Sequence, residues 1–221
     1  MAEPVGLIFD LDGTLIDSAP DIHATANLVF TAEGLAPFEF ATVRGFIGNG
    51  VGSLVAQLMQ ARGLDARGPT HARLVAKFIS LYEEAIDLTL VYPGVVAALD
   101  QLATHHPMAI CTNKPKSPAL SVLRHFGLDR FFLHVIGGDS LPQRKPDPMP
   151  LLAAQTALGC DRILFVGDSE VDAETAVRAE RPLLLYTEGY RKIPAEAIGA
   201  KAIFAHYDDF PALVRSLAAL P

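Results

Sequence analysis

The sequence predicts an α/β fold: a doubly wound parallel sheet with an inserted all-helical unit. Short apolar runs rich in β-branched and aromatic residues alternate with helical patterns of about ten residues, which is typical of right-handed βαβ units and of a sheet covered on both faces. A stretch from Asp17 to Leu88 has helical periodicity alone and interrupts this alternation after the first strand. We therefore expect an α/β core over residues 1–16 and 89–221 and a helical insert over residues 17–88.

Each element has its own pattern. Apolar runs that stop at glycine or polar residues predict the strands, the last of them weakly: Val5–Phe9, Pro107–Cys111, Phe132–Ile136, Arg162–Val166, Leu183–Tyr186 and Ala202–Ala205. Apolar residues at spacings of three and four predict the helices of the core: Gly94–Ala103, Ser117–Phe126, Pro148–Leu158 and Glu170–Ala179. The same spacing predicts the helices of the insert: Asp21–Ala32, Glu39–Arg44, Gly52–Arg62 and Thr70–Ile86.

Composition narrows the function classes. With 50% hydrophobic and 19% charged residues, the chain of 221 residues is not an intrinsically disordered one. Its 18 Lys and Arg against 25 Asp and Glu give a net charge of −7 without a basic cluster, which argues against nucleic acid as a partner. No apolar run approaches the ~18 residues of a membrane span, and the N-terminus lacks a leader pattern, so we expect a cytoplasmic protein without membrane contact. Cys111 and Cys160 lie in apolar surroundings and predict buried thiols.

The first chemical signal is the pair Asp10 and Asp12, which follows the first strand. Ligands of doubly wound sheets bind beyond the carboxyl ends of the strands, so these carboxylates face the expected crevice. Two carboxylates so close repel each other, and a cation between or near them is the usual compensation. A simple turn and a helix cap would explain the two residues equally well in isolation.

A second acidic group follows the fourth predicted strand. Asp168 ends that strand, and Asp172 lies four residues further, which predicts that both carboxylates share one face of the next helix. Up to four carboxylates then meet at one crevice. Oxygen ligands alone suit a hard divalent cation, with Mg²⁺ first, and no set of Cys and His residues suits zinc.

Groups for binding an anion lie at the same edge. Thr112 and Asn113 end the second predicted strand with a hydroxyl and an amide, ahead of a helix N-terminus that favours phosphate. Lys145 adds a positive charge from a neighbouring loop. A helix entry and a surface lysine are the plain structural alternatives for these residues.

Together these motifs resemble those of the haloacid dehalogenase superfamily. The four motifs of that family match at residues 10–14, 112–113, 145–146 and 167–172, and the insert resembles its helical cap over a Rossmann-like core. Further stretches are similar to bacterial phosphoglycolate phosphatases: Gly48-Asn49-Gly50, Tyr92-Pro93-Gly94, residues 111–115 and residues 137–142. The resemblance implies a Mg²⁺-dependent hydrolysis of 2-phosphoglycolate to glycolate and phosphate.

The resemblance also implies roles for single residues. Asp10 would be the nucleophile that forms a phospho-aspartyl intermediate, and Asp12 the acid and base. Asp10, the backbone carbonyl of Asp12 and Asp168 would hold the metal, with Asp172 supporting its waters. The phosphate would be bound by Lys145, Thr112 and the backbone N–H groups of Leu11 and Asn113. The candidates for contact with the leaving group are Asn49, Arg44 and Lys114.

Other functions stay open at this point. A phosphatase for another small phosphorylated metabolite and a hexose-phosphate mutase share the first motif. A 2-haloacid dehalogenase would not need Asp12, and a binding module without catalysis would have lost Asp10, Lys145 or Asp168, all of which are present. A small phosphate ester is the expected partner, and the chain is expected to be a monomer or a homodimer.

Overall fold

The structure, a computed structural model, describes residues 4–219, so the outermost parts of the predicted core segments lie outside the described residues. A parallel sheet forms its centre. Its strands are β1 (Gly6–Phe9), β4 (Met108–Cys111), β5 (His134–Ile136), β6 (Ile163–Gly167), β7 (Leu183–Tyr186) and β8 (Ala202–Phe204). They lie side by side in the order β5-β4-β1-β6-β7-β8. The predicted α/β fold with a parallel sheet is confirmed, and all six predicted runs form strands.

Strand β1 lies in the middle of this sheet. Its residue Leu7 is in register with Met108 of β4 on one side and with Leu164 of β6 on the other. Because all pairings in the sheet are parallel, the carboxyl ends of the strands meet at one edge. The residues that follow β1, β4 and β6 therefore lie side by side.

Helices cover both faces of the sheet. Leu7 and Phe9 of β1 point into one apolar cluster and Ile8 into the other, as expected for a strand that is buried on both sides. The first cluster is closed by α5 (Val95–Leu102), α6 (Lys116–His125) and α9 (Phe210–Ala218), and the second by α7 (Met149–Leu158) and α8 (Glu170–Ala179). Cys111 and Cys160 are both buried in the second cluster, as predicted.

The insert has an apolar core of its own. Its helices are α1 (Ala19–Thr31), α2 (Phe40–Arg44), α3 (Gly50–Ala61) and α4 (Pro69–Tyr82). Phe30, Leu58 and Phe78 are among the side chains that these helices bury completely. The two chain segments that connect the insert to the core pair as an antiparallel ribbon of β2 (Ile16–Asp17) and β3 (Leu90–Val91), which the sequence pattern does not predict.

Two predicted features differ from the structure. The last helix of the insert ends at Tyr82, with Glu83 as its C-cap residue, and does not reach Ile86. Asp168 precedes α8 and is not on its face.

Among the described residues, no helix has the length and apolar character needed to span a membrane.

Candidate active site

The candidate site lies at the carboxyl edge of the sheet. Asp10 follows β1, Thr112 follows β4 and Asp168 follows β6, which are neighbouring strands. Lys145 comes from the loop between β5 and α7, and only 2% of its side chain is exposed. The edge thus brings together the charged residues that the sequence places at strand ends.

Lys145 bridges two carboxylates at the centre of this site. Its Nζ lies 3.0 Å from Oδ1 of Asp10 and 2.7 Å from Oδ1 of Asp172. Only the contact with Asp172 has the geometry of a hydrogen bond, so Asp10 Oδ1 is buried beside a positive charge without a hydrogen-bond donor. One cation between two buried anions leaves one negative charge in excess.

Burial and charge shift the pKa values of these groups. Burial raises the pKa of Asp10 to about 7, Asp172 and Asp12 add to the rise, and Lys145 opposes it. Burial by itself would lower the pKa of Lys145, but the carboxylates of Asp10 and Asp172 outweigh it and raise that pKa, so the ammonium stays protonated. The site therefore carries a permanent positive charge next to a carboxylate that is costly to ionise.

Asp172 is held by the start of α8. Its Oδ2 accepts hydrogen bonds from the backbone N–H groups of Asp168 and Ser169 and from the Ser169 hydroxyl, in a capping box with Ser169 as the N-cap. Its Oδ1 accepts the bond from Lys145. Both oxygens are engaged, so Asp172 fixes Lys145 and the loop around Asp168.

Asp168 is buried at the end of β6, where both of its oxygens accept hydrogen bonds. Thr14 donates its hydroxyl to Oδ1 at 2.9 Å, and the backbone N–H of Tyr190 donates to Oδ2 at 2.6 Å. Burial raises the pKa of Asp168, and the nearby charges of Asp172 and Asp10 raise it further. The prediction that Asp168 and Asp172 share one helix face is wrong, because Asp168 stands before the N-cap.

Three of the four predicted carboxylates form one cluster. Asp10, Asp168 and Asp172 each offer an oxygen within 4.8 Å of the others. The ligand atoms are all oxygens. Burial and then mutual repulsion raise two of the pKa values, and a bound cation would relieve that repulsion. The cluster therefore fits a hard divalent cation such as Mg²⁺.

Asp12 stands apart from that cluster. Its Oδ1 accepts a hydrogen bond from the Ser18 hydroxyl at 2.6 Å and lies 3.1 Å from Nζ of Lys114. The resemblance assigns the backbone carbonyl of Asp12 to the metal, and its side chain is paired with a lysine of its own. The two carboxylates of the first motif are thus balanced separately, Asp10 by Lys145 and Asp12 by Lys114.

Lys114 joins the core to the insert. Its ammonium lies 3.8 Å from the ring centroid of Tyr82, contacts the Tyr82 hydroxyl and is almost fully buried. Burial lowers the pKa of Lys114, while Asp12 opposes this shift. A cation between an acid and an aromatic ring, with little water around it, is well placed to bind an anion that enters from the cavity.

A cavity of about 50 Å³ separates the core from the insert. The core lines it with Asp10, Asp12, Thr112, Asn113, Lys114 and Pro115, and the insert lines it with Ile22, Ile47, Gly48, Gly50, Val51, Leu54, Phe78 and Tyr82. One water needs about 10–15 Å³ of such space, so the cavity accommodates a small ligand only.

Comparisons with known proteins show the family of the chain. The family described as "Haloacid dehalogenase-like hydrolase" matches residues 7–185. The chain belongs to this haloacid dehalogenase-like family. It is 47% identical over 216 residues to a phosphoglycolate phosphatase of Cereibacter sphaeroides, covering 97% of this chain and 99% of that one. To a phosphoglycolate phosphatase of Rhodobacter capsulatus it is 46% identical over 209 residues, covering 94% and 95%.

A solved structure shares the fold of this chain. The crystal structure of a predicted phosphoglycolate phosphatase from Haemophilus somnus superposes with a TM-score of 0.89 at 30% identity, covering 97% of this chain and 99% of that chain. Membership in the haloacid dehalogenase-like family and these relatives identify the chain as a phosphatase.

Within this family fold, the phosphate-binding candidates have different surroundings. The Thr112 hydroxyl oxygen accepts a bond from the Lys114 backbone N–H, which leaves its proton for another acceptor. The Asn113 side chain donates to the carbonyls of Gly48 and Lys145 at 2.9 Å each, so it ties the insert and the Lys145 loop to the strand end. Burial raises the pKa of Asp10, and the nearby backbone N–H of Leu11 opposes this rise because it favours the ionised carboxylate.

The structure places the three candidates for the leaving group differently. Lys114 lines the cavity, whereas Asn49 and Arg44 do not. Asn49 is the N-cap residue of α3, and its neighbours Gly48 and Gly50 supply the lining instead. Arg44 donates to the Gly189 carbonyl at 2.7 Å and lies over the Tyr190 ring. Of the three, Lys114 alone is in position to meet a ligand in this cavity.

Two residues of the site are missed by the sequence patterns. Tyr82 is one of several apolar positions on α4, and nothing in its spacing separates it from the core positions. Tyr190 follows β7, the strand next to β6, so the rule that strand ends carry function could have drawn attention to it.

Proposed function

We propose that the protein is a Mg²⁺-dependent phosphomonoesterase that hydrolyses 2-phosphoglycolate to glycolate and phosphate through a phospho-aspartyl intermediate. One observation carries the proposal: two carboxylates two residues apart border one small cavity, and each has a different lysine. This arrangement separates a nucleophile from a proton donor. The named activity of the relatives from Cereibacter sphaeroides and Rhodobacter capsulatus supports the choice of substrate.

The acidic cluster is the proposed site of the metal. Asp10 and Asp168 would hold Mg²⁺ directly together with the backbone carbonyl of Asp12, and Asp172 would support the bound waters, since both of its oxygens already have protein partners. When bound, the ion neutralises negative charge on the phosphate and on the carboxylates around it. It would also favour the ionised form of Asp10, whose pKa is about 7 without it.

Asp10 and Asp12 would divide the chemistry. A carboxylate oxygen of Asp10 attacks phosphorus, the P–O bond to the glycolate oxygen breaks, and Asp12 gives its proton to that oxygen. Water then attacks the phosphorus of the aspartyl phosphate and gives a proton to Asp12, and the bond between phosphorus and Asp10 breaks. Phosphate leaves, and both carboxyl groups return to their starting states.

The phosphate oxygens would be bound by donors at the strand ends. Lys145 is positively charged and fixed between two carboxylates, and the Thr112 hydroxyl has its proton available. The backbone N–H groups of Leu11 and Asn113 complete the proposed set. Fixed donors of this kind stabilise the charge of the transferring group without reorganisation during the reaction.

We further propose that Lys114 binds the carboxylate of the leaving group. Among the described residues, it is the only lysine or arginine that lines the cavity. Tyr82 holds its ammonium from the side of the insert, and the other walls contributed by the insert are mostly apolar. Residues 17–88 would thus act as a cap on the core formed by residues 1–16 and 89–221, and the cap excludes water during the reaction.

The test is phosphate release from a panel of phosphorylated metabolites with purified protein and Mg²⁺. We expect the highest kcat/KM for 2-phosphoglycolate. A higher kcat/KM for another small ester would overturn the proposed substrate but not the proposed mechanism. Phosphoryl transfer between sugar hydroxyls without release of phosphate would instead identify a hexose-phosphate mutase and overturn the proposal.

A further inference from the structure

The segment Gly189–Tyr190 touches both Asp168 and the beginning of the insert. On the side of the core, the Tyr190 backbone N–H donates to Oδ2 of Asp168 at 2.6 Å. A Cβ on Gly189 would lie 2.3 Å from the same oxygen and 2.3 Å from the Gly13 carbonyl oxygen, so a side chain has no room there. The position of the Asp168 carboxylate therefore depends on the position of this segment.

On the side of the insert, the Tyr190 hydroxyl caps the start of α1. It accepts hydrogen bonds from the backbone N–H groups of Ser18 at 2.9 Å and of Ala19 at 3.0 Å, and it donates to Asp17 at 2.8 Å. A tyrosine hydroxyl can accept two bonds and donate one, so its capacity is fully used. The N-cap residue Ser18 does not perform this task, because its own hydroxyl donates to Asp12.

A second residue of the insert holds the same segment. Arg44, at the end of α2, donates to the Gly189 carbonyl at 2.7 Å, and its guanidinium lies 5.4 Å from the centroid of the Tyr190 ring. Gly189–Tyr190 is thus contacted by the first two helices of the insert on one side and by a member of the acidic cluster on the other.

We propose that Tyr190 is a positioning residue that couples the seating of the insert to the placement of Asp168. When Ser18, Ala19 and Arg44 hold the segment, its backbone N–H is directed at Asp168; when the insert moves away, that direction is lost. The inference rests on the proposed function, because Asp168 is a proposed ligand of Mg²⁺. By reciprocity, an ion bound at Asp168 must then stabilise the contacts of the insert with Tyr190.

The test compares wild type with Tyr190→Phe, which removes the hydroxyl and keeps the ring and the backbone N–H. Tyr92→Phe is the matched control, because the Tyr92 hydroxyl contacts the nearby Glu188 carbonyl at 3.4 Å and not the insert. Amide hydrogen exchange at Ser18 and Ala19 is followed by NMR in the protein without metal. We expect exchange about 10-fold faster in Tyr190→Phe and unchanged in Tyr92→Phe. Unchanged exchange in Tyr190→Phe would overturn the proposal.

Coupling is read by adding Mg²⁺ without substrate. In wild type, exchange at Ser18 and Ala19 is expected to slow, whereas Tyr190→Phe is expected to lose this response. The concentration of Mg²⁺ for half-maximal phosphatase rate should rise about 10-fold in the variant. An absent response in wild type, or an equal response in both proteins, would overturn the coupling. A merely structural role of the hydroxyl would change the exchange rates but not their dependence on Mg²⁺.

Arg44→Gln is a second variant for the case that Tyr190→Phe does not fold. Because Arg44 is exposed, we expect its replacement to leave the fold intact. We expect a weaker Mg²⁺ response at Ser18 and Ala19, and a response equal to that of wild type would contradict the proposal. Failure of the proposed function looks different: wild type would release no phosphate from any ester of the panel. The exchange experiment uses no substrate and is read independently of that result.

Discussion

The α/β core and the helical insert face each other across one cavity and contribute different chemistry to it. The core supplies the charged side chains, Asp10, Asp12 and Lys114, each with an ionic partner. The insert supplies apolar walls, two glycines and the hydroxyl of Tyr82. The charged groups of the cavity therefore lie at the strand ends of the sheet, and its apolar walls belong to a unit with a separate apolar core.

The largest expected effect comes from the core. Asp10→Asn removes the nucleophile, so kcat should fall by at least about 10⁴-fold, measured as phosphate release. The fold should persist, because Lys145 keeps its bond to Asp172. Asp100→Asn is the matched control, since it changes an exposed carboxylate on α5 that pairs only with exposed Arg130. If Asp10→Asn turned over at the wild-type rate, the assignment of the nucleophile to the core would be wrong.

Removing the metal tests the core a second way. EDTA should abolish activity, and Mg²⁺ should restore it. Ca²⁺ should compete with Mg²⁺ as an inhibitor, because it prefers 6–8 oxygen ligands at about 2.3–2.6 Å and readily takes both oxygens of a carboxylate, which would occupy Asp10. Two outcomes contradict this expectation in a phosphate-release assay: full activity after verified stripping of metal, or turnover with Ca²⁺ as fast as with Mg²⁺.

Asp12→Asn distinguishes the two carboxylates of the core. With an alkyl phosphate, whose leaving group needs a proton, kcat should fall about 10²–10⁴-fold. An aryl phosphate leaves more easily and should lose less. The measurement is the rate of ester cleavage for both substrates at saturation. Equal losses would show that Asp12 does not act as the acid.

Tyr82→Phe sharpens the comparison from the side of the insert. The change removes the hydroxyl that contacts Lys114 and should lower kcat/KM for 2-phosphoglycolate by about 10-fold, the value of one lost polar contact to a charged group. An aryl phosphate without a carboxylate should be affected less than twofold by the same change (about 0.4 kcal/mol). A uniform loss on both substrates would assign Tyr82 to closure of the cap and not to recognition.

The smallest effect concerns the insert alone. Arg73 and Lys77 of α4 lie close to Glu33, and the hydrogen bonds from Arg73 lower the pKa of Glu33 from 4.5 to about 2. Because the folded protein favours the ionised form, the pair stabilises the fold above pH 4.5 and loses this contribution as the pH falls towards 2. Glu33→Gln should slightly lower the urea midpoint at pH 7, and the difference from wild type should shrink at pH 2.5.

For that last variant, kinetics provide the control. Glu33 is half-buried and does not line the cavity, so kcat and KM at pH 7 should equal those of wild type. A difference between the two urea midpoints that stays constant down to pH 2.5 would contradict the role of the ionised pair. A fall in kcat would show that the stability of the insert limits the reaction.

The sequence predicts the sheet and the strand-end residues because both follow from local pattern. Buried parallel strands are continuous apolar runs, and a polar residue that stops such a run stands out, as Asp10 and Asp168 do. Pro211 is a start signal for helix α9, but the strand before α9 has only a weak pattern. The alternation of strands and helices is therefore hard to recognise at this end of the chain. The two-residue strands β2 and β3 are too short to carry any periodicity.

Local sequence patterns do not predict which distant residues form pairs. Lys114 follows Asp12 by 102 residues and Tyr82 precedes Lys114 by 32, so only the folded chain shows that they meet. Among Asn49, Arg44 and Lys114, the sequence offers three polar residues and no means of choosing. The side-chain direction that separates Lys114 from the other two depends on how the insert sits on the core.

The β2–β3 ribbon makes the insert an exchangeable module. Asp17 and Leu90 are partners across the ribbon, so the chain leaves the sheet and returns to it at nearly the same point. A unit placed between these residues therefore needs only to begin and end close together and to keep the contacts with Tyr190 and Asn113 that the present insert makes. A different helical unit that meets these two conditions would present the same reactive face with a new enclosure, so a diversified library of substrate preferences could be built on one scaffold.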